Sequence, residues 1–301
     1  MGWRSVVITR PSYLKYKQGA LKVEQPDGEV SIPLEDISVL LLDNPQITLT
    51  TQLLSACAAE QIAVISVGSD RHPNGLLLPH QPHSRALKVI RSQIGMSLPQ
   101  KKRLWQHVVQ QKIINQSDVL QHYGEERLAS RLKMLASEVN SGDTGNCEGQ
   151  ASQLYFPTLF GSGFGRKQTR FYNAALNYGY AVIRAALARN LVAYGFITAL
   201  GLHHHNEQNQ FNLADDLIEP FRPLLDAYVL RQSPTEDQQE LSPAHKATLV
   251  NILHQDIATA HPNGAQTRTE LLAATEAIVV SLSQRLHDGG HRLHLPLFSL
   301  D

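Results

Sequence analysis

Cysteine is scarce in this chain of 301 residues: Cys57 and Cys147 are the only two. That excludes a disulfide framework and the paired spacings of a zinc ribbon, and it suits a reducing compartment. Long apolar runs are lacking too. No stretch is long enough to span a bilayer, and residues 1–10 are too briefly apolar for a secretory leader, so the expectation is a soluble, cytoplasmic protein with no membrane partner. Internal repeats and low-complexity tracts are absent. So is any excess of one charge, with 27 Lys and Arg against 27 Asp and Glu, which removes the usual electrostatic footprint of a nucleic-acid-binding domain.

The distribution of that charge is uneven. Residues 71–133 hold eleven Lys and Arg against three Asp and Glu, whereas residues 205–240 hold two against eight. A basic stretch able to neutralise phosphates, joined to an acidic stretch able to hold cations, suits a metal-dependent enzyme acting on a polyanion. Solvated helix faces give the same asymmetry in many chains, so the pattern needs support from specific residues.

Local patterning changes character near residue 85. Before it, β-branched runs at 6–9, 21–24, 29–32, 37–42 and 62–67 are predicted strands. Pro26-Asp27-Gly28 is a turn, and one helix is predicted over 50–59 with Thr50 or Thr51 as its N-cap. After Ala86 the period becomes helical, as in Leu104, Val108, Lys112, Ile113 and Leu120. Residues 173–189 read as a long core helix whose small side chains allow close packing, with loops at 140–146 and 233–237. The expected fold is α+β: a β-rich, sandwich-like N-terminal domain over residues 1–85, then a larger all-α C-terminal domain over residues 86–301.

Two segments carry chemistry. The run Gly201-Leu202-His203-His204-His205-Asn206 closes one apolar stretch, and Asp215, Asp216 and Glu219 open the next. Imidazole and carboxylate together make the mixed donor set that a divalent cation in phosphate chemistry uses. Successive helical side chains diverge by about 100°, so only one of the three histidines faces a shared ion. Asp216 and Glu219 are three apart and converge on one face, Asn212 and Asp215 resemble a capping arrangement, and Pro220 breaks the helix. The second segment is Glu148, placed in a first helical turn by Asn146 as N-cap, with Ser152 and Tyr155 along the same face. An acidic residue there ordinarily serves only the helix dipole. Asn173 and Asn177, four apart, are either satisfied structural amides or groups that orient a site. The tail His287-Asp288-Gly289-Gly290-His291-Arg292-Leu293-His294 reads as a turn with surface histidines.

Glu148-Gly149, Asn173-Ala174-Ala175-Leu176-Asn177-Tyr178-Gly179-Tyr180, Leu200-Gly201-Leu202-His203-His204 and Asp216-Leu217-Ile218-Glu219-Pro220-Phe221-Arg222-Pro223 together resemble the CRISPR-associated spacer-acquisition integrase family. The likeness covers the whole chain, including its order of β-rich then helical lobes, and Gly2-Trp3-Arg4 is similar to members from type II systems, which use a single-protein effector nuclease. It implies that the helical domain is catalytic and that Glu148, His204 and Glu219 are its metal ligands, the last standing where many relatives have Asp. It also implies magnesium or manganese as cofactor, a homodimer formed through the β lobe, a small second subunit bridging two dimers, and the effector nuclease as a further candidate partner. The implied activity is integration of short foreign DNA into a repeat array, a 3′-hydroxyl attacking a repeat phosphodiester. His204 is either a ligand or the proton acceptor.

Substrate contacts would fall to Arg71, Arg85, Lys88, Arg91, Lys101, Lys102 and Arg103, and to Arg166, Lys167 and Arg170 near Glu148. Trp105, Tyr155 and Tyr172 are candidates to stack on frayed bases, against the commoner core role of such residues. Arg222, three residues from Glu219, is expected to pair with a carboxylate, and with Tyr155, Asn177 and Asp216 to support the site. A general metallo-phosphodiesterase, a noncatalytic DNA scaffold and a histidine-rich metal store are the competing readings. The first differs only in using water as nucleophile.

Overall fold

The computed structural model describes all residues except 1, 69–72, 81–82, 162, 165–170, 233–240, 289, 291 and 299–301. Its N-terminal part holds two four-stranded sheets. In the first, β1 (Arg4–Ile8) pairs parallel with β5 (Ile37–Leu42), β5 parallel with β7 (Ala63–Val67), and β7 antiparallel with β8 (Pro73–Leu77). In the second, β2 (Tyr13–Lys17), β3 (Ala20–Gln25) and β4 (Gly28–Pro33) form an antiparallel meander, and the two-residue β6 (Thr48–Leu49) lies parallel to β2. Helix α1 (Thr51–Ala59) starts at Thr50, whose hydroxyl accepts the Leu53 N–H.

Strand β5 is buried along its whole length because both faces of its sheet are covered. Leu40 and Leu42 face one core with β2, β3 and α1, while Val39 and Leu41 face the helices. In β7, Val64 and the pair Ala63 and Ile65 divide the same way. The period of two along a strand thus serves two cores at once.

In this N-terminal part three strands, β2, β6 and β8, lie outside the five predicted from β-branched runs. β2 reads Tyr-Leu-Lys-Tyr-Lys, its apolar signal diluted by lysines on a partly open face. β8 opens Pro-Asn-Gly, a turn signature; it is tolerated because β8 is an edge strand, where proline costs no ladder bond. A Cβ on Gly75 would lie 2.3 Å from Ser66 Oγ, so a larger residue here would turn the Ser66 hydroxyl aside.

The rest is mostly helical: α2 (Ala86–Ile94), α3 (Leu98–His122), α4 (Glu126–Glu138), α5 (Cys147–Phe160), α6 (Phe171–Ala193), α7 (Asn212–Ile218), α8 (Arg222–Leu230), α9 (Pro243–Val250) and α10 (Leu271–Asp288). Helices α3 and α6 are buried over much of their circumference, as core helices must be. α3 packs on α4, α5 and α8, and α6 on α7, α8, α9 and α10. Gly179 lets α6 approach α8, since a Cβ there would sit 2.6 Å from Leu225 Cδ1.

This region is not all-α. Strands β9 (Asp256–Ala260), β10 (Gln266–Glu270) and β11 (Leu295–Leu297) form a three-stranded antiparallel sheet, with β9 central. The β9–β10 hairpin turns at Pro262-Asn263-Gly264, with Gly264 at φ +89°. Helical periodicity gives no sign of strands this short and threonine-rich. The tail is corrected likewise, because His294 is part-buried, its Nε2 2.8 Å from Thr259 Oγ1. His291, the His287 side chain and the loop expected at 233–237 lie outside the described residues. Both cysteines are free and buried, and burial pushes the Cys57 thiol up to about 11. No helix of the described residues is long and apolar enough to cross a membrane.

Candidate metal centre

Helix α5 begins where the sequence expects. Asn146 adopts the left-handed conformation at φ +53°, and its side-chain oxygen accepts the Gly149 N–H. Asp143 strengthens this start by accepting the N–H groups of Cys147 and Glu148. Glu148 therefore leaves the first turn with its backbone fixed.

Glu219 opens a short 3-10 turn, Glu219–Phe221, between α7 and α8, where Pro220 ends the α-helical ladder. Its carboxylate is almost wholly buried. Arg222 Nε donates to Oε1 at 2.8 Å, as the spacing of three predicts. Lys112 Nζ donates to Oε2 at 2.5 Å and, on its other side, to Glu148 Oε1 at 2.5 Å. Burial alone would raise the Glu219 pKa, but the Arg222 and Lys112 cations outweigh it and hold the carboxyl down to about 2. Burial would lower the Lys112 pKa, yet Glu219 and Glu148 together raise it, so the ammonium stays charged.

Asp216 organises the histidine segment. Its buried carboxylate accepts the backbone N–H groups of Leu202, His203 and His204 and contacts His204 Nδ1 at 2.7 Å. Three successive N–H groups around one carboxylate form an anion nest. Gly201 is needed for the chain to wrap so closely, since a Cβ there would lie 2.3 Å from the His204 carbonyl oxygen and 2.7 Å from Asp216 Oδ2. The hydrogen bond to the Asp216 carboxylate raises the His204 pKa against the opposing effect of burial, and Glu219 and Asp215 add to the rise. The side chain is 42% exposed. A carboxylate on Nδ1 fixes the ring and leaves Nε2 as the ligating or proton-accepting nitrogen.

The neighbouring histidines are otherwise engaged. His203 stacks flat on Trp105, ring centroids 4.3 Å apart, and His205 Nδ1 lies 2.9 Å from the His203 carbonyl oxygen. Of the three, His204 is the one held on a carboxylate and coupled to Glu219.

Several expected roles change. Trp105 and Tyr155 are buried and do not reach bases, and Tyr172 packs on Phe160. Burial and then Asp226, the acceptor of the Tyr180 hydroxyl, raise the Tyr155 pKa well above its ordinary value. Tyr180 in turn lies under Arg222, so Tyr155 belongs to the packing behind the Glu219 pair. Asn177 is exposed on α6, whereas Asn173, one turn earlier, is buried. Asn212 is not an N-cap but the first residue of α7, its amide donating to the Ala199 and Asn206 carbonyls. Arg85, Lys88 and Arg91 are exposed at and along α2, and Lys101 is half-buried on α3. Arg71, Arg166, Lys167 and Arg170 lie outside the described residues.

The group that sequence reasoning missed is Lys112. It stands on a helical stripe with Leu104, Val108 and Ile113, and a charged side chain on a buried stripe requires counter-charge nearby. As the side chains stand, no three His, Cys, Asp or Glu among the described residues gather into a metal cage. The two glutamates instead meet on the Lys112 ammonium. Two carboxylates already sharing one cationic atom, with an imidazole on the same potential, are chemically suited to a hard divalent ion.

The sequence matches the CRISPR associated protein Cas1 family over residues 6–241. It is also 42% identical over 298 residues to a CRISPR-associated endonuclease Cas1 of Neisseria meningitidis serogroup C, an alignment covering 98% of this chain and 96% of the relative. The chain belongs to the Cas1 family. A more distant Cas1 endonuclease of Pyrobaculum aerophilum is 28% identical over 242 residues, covering 74% of this chain and 80% of its own. Among solved structures, a Thermotoga maritima Cas1 superposes with TM-score 0.74 at 18% identity, over 97% of this chain and 99% of that one. A casposase bound to integration product superposes with TM-score 0.77 at 16% identity, over 97% and 92%. Glu148, His204 and Glu219 all fall within the span matched to Cas1.

Proposed function

We propose that this Cas1-family chain is a divalent-metal-dependent DNA integrase, inserting short foreign DNA into a CRISPR repeat array. The observation that carries the reading is the meeting of Glu148 and Glu219 on one cation beside a His204 oriented by Asp216, in a chain 42% identical to a Cas1 endonuclease. Glu148, His204 and Glu219 would hold magnesium or manganese. The chemistry such a cation would supply is Lewis-acid polarisation of a phosphoryl oxygen and stabilisation of the leaving oxygen. The chain's own residues do the rest. Arg222 keeps Glu219 ionised and fixed, Asp216 sets the His204 ring, and Nε2 would ligate or take the proton of the attacking 3′-hydroxyl. As that oxygen bonds to phosphorus, the repeat's own P–O bond breaks and leaves a 3′-hydroxyl.

DNA is the substrate in this reading, with Arg85, Lys88, Arg91 and Lys101 contacting phosphates, and Arg71, Arg166, Lys167 and Arg170 adding to the basic charge. The partners are a second copy, docked through the β lobe of residues 1–85, and a small second subunit, with residues 86–301 forming the catalytic domain. Solved structures of similar fold named as a Cas6-RT-Cas1–Cas2 complex and a Cas1–DNA complex support a Cas2 subunit and DNA as partners.

The test is strand transfer of a short duplex with free 3′-hydroxyls into a supercoiled plasmid carrying the repeat array, with magnesium or manganese and the small subunit. Joined products are expected, and His204→Ala should abolish them. Metal-dependent nicking without joining would move the assignment to a hydrolytic phosphodiesterase, and no activity in any arm would leave a DNA scaffold.

A further inference from the structure

The Lys112 ammonium is the most confined cation at this site. Its side chain is 7% exposed, and it bridges carboxylates from α5 and from the turn before α8. The two oxygens it holds are Glu148 Oε1 and Glu219 Oε2, and because Arg222 occupies Glu219 Oε1, the oxygen held by Lys112 is the one Glu219 has left for a metal. Two carboxylates against Lys112 and Arg222 are already neutral. A divalent cation added to that largely buried set would bring two further positive charges up against the Lys112 ammonium, where screening by solvent is reduced. The ammonium and the metal cannot both take the same two oxygens.

We infer that Lys112 is a tethered counter-ion that competes with the divalent metal for Glu148 and Glu219 and leaves their oxygens when the metal binds. This rests on the metal-site reading proposed above. Without metal, Lys112 holds the two carboxylates close together, so the site stays assembled. With metal, the ammonium is released from between them. Lys112 is thus a positioning residue that holds the metal affinity down.

A purely structural lysine makes the opposite forecast. If Lys112 only orients the glutamates, its removal splays them and weakens metal binding; if it competes, its removal tightens binding. Manganese alone is the probe, with bound and free ion counted by electron paramagnetic resonance on the full-length protein. Lys112→Met should lower the Kd for manganese roughly tenfold or more, since one competing charge a few ångströms away is removed. It should also enlarge the rise in Tm on adding manganese, while Lys112→Arg, which keeps the charge, should bind no tighter than the parent. An unchanged or higher Kd for Lys112→Met overturns the inference.

A second measurement needs no variant. Lys112 in the intact protein should be protected from acylation without metal and become reactive at saturating magnesium, as read by mass spectrometry of its peptide. Reactivity that magnesium leaves unchanged overturns the inference. Glu148→Gln and Glu219→Gln separate the two levels. If they abolish manganese binding while Lys112→Met fails to tighten it, the counter-ion role alone falls. If they leave binding intact, the metal lies elsewhere and both readings fall.

Discussion

Asp216 and Glu219 stand three residues apart on the same acidic segment, yet the structure gives them opposite work. Asp216 turns inward to three backbone N–H groups and the His204 ring, whereas Glu219 meets two side-chain cations. Spacing alone predicts convergence of the two carboxylates and cannot tell the orienting group from the ligand. Replacing Asp216 by Asn turns an amide N–H toward backbone donors and strips the nest of its charge. We expect a loss of about 2–3 kcal/mol of stability, because buried charge-assisted hydrogen bonds are lost together. That corresponds to a fall in Tm on the order of 5 °C for a domain of this size, read by calorimetry. A Tm unchanged within a degree would mean that the nest does not hold this loop.

Among the elements, the small C-terminal sheet is the piece that helical periodicity overlooks, and it gives the tail histidine a defined role. His294 precedes β11 and packs its ring 4.0 Å from that of His261, with Nε2 on Thr259 of β9. Burial first, and then the neighbouring His261, lower the His294 pKa below its ordinary value. The folded state thus favours the neutral ring. Its stabilising contribution is complete above the unfolded value of about 6.5 and is lost as pH falls through the lowered folded one. Urea midpoints for the parent should therefore drop between pH 7.5 and 5 more steeply than those of His294→Gln. Parallel slopes would show that this ring does not couple the sheet to pH.

For the molecule as a whole, the first sheet is the joint between the two cores, and a buried ion pair pins it. Asp43, just past β5, accepts from Lys246 Nζ of α9 at 2.6 Å, both side chains nearly inaccessible to water. Arg189 of α6 also reaches across to the Gln61 carbonyl. Breaking a buried pair from one side leaves a charge uncompensated, so Asp43→Asn should cost about 3–5 kcal/mol of stability. The double variant with Lys246→Met should recover much of that loss, a coupling that a double-mutant cycle in urea measures. Additive losses in the double variant would show that the two side chains do not act as a pair.

What the sequence by itself determined is whatever depends on neighbours along the chain. Thr50 and Asn146 as caps, the β-branched runs of β3, β4, β5 and β7, the helix through 173–189, the three-residue reach from Arg222 to Glu219, and the motifs shared with the integrase family all follow from local stereochemistry or residue order. Tertiary structure decided the rest. Lys112 shares its cation between residues 36 and 107 positions away, and the surroundings that set His204 apart from its neighbours, Asp216 on its Nδ1 and Trp105 against His203, arrive from other elements. Trp105 and Tyr155 face the core and not DNA for the same reason. A side chain's partner across the fold is set by how helices and sheets pack, and packing is a property of the whole chain that no local window contains.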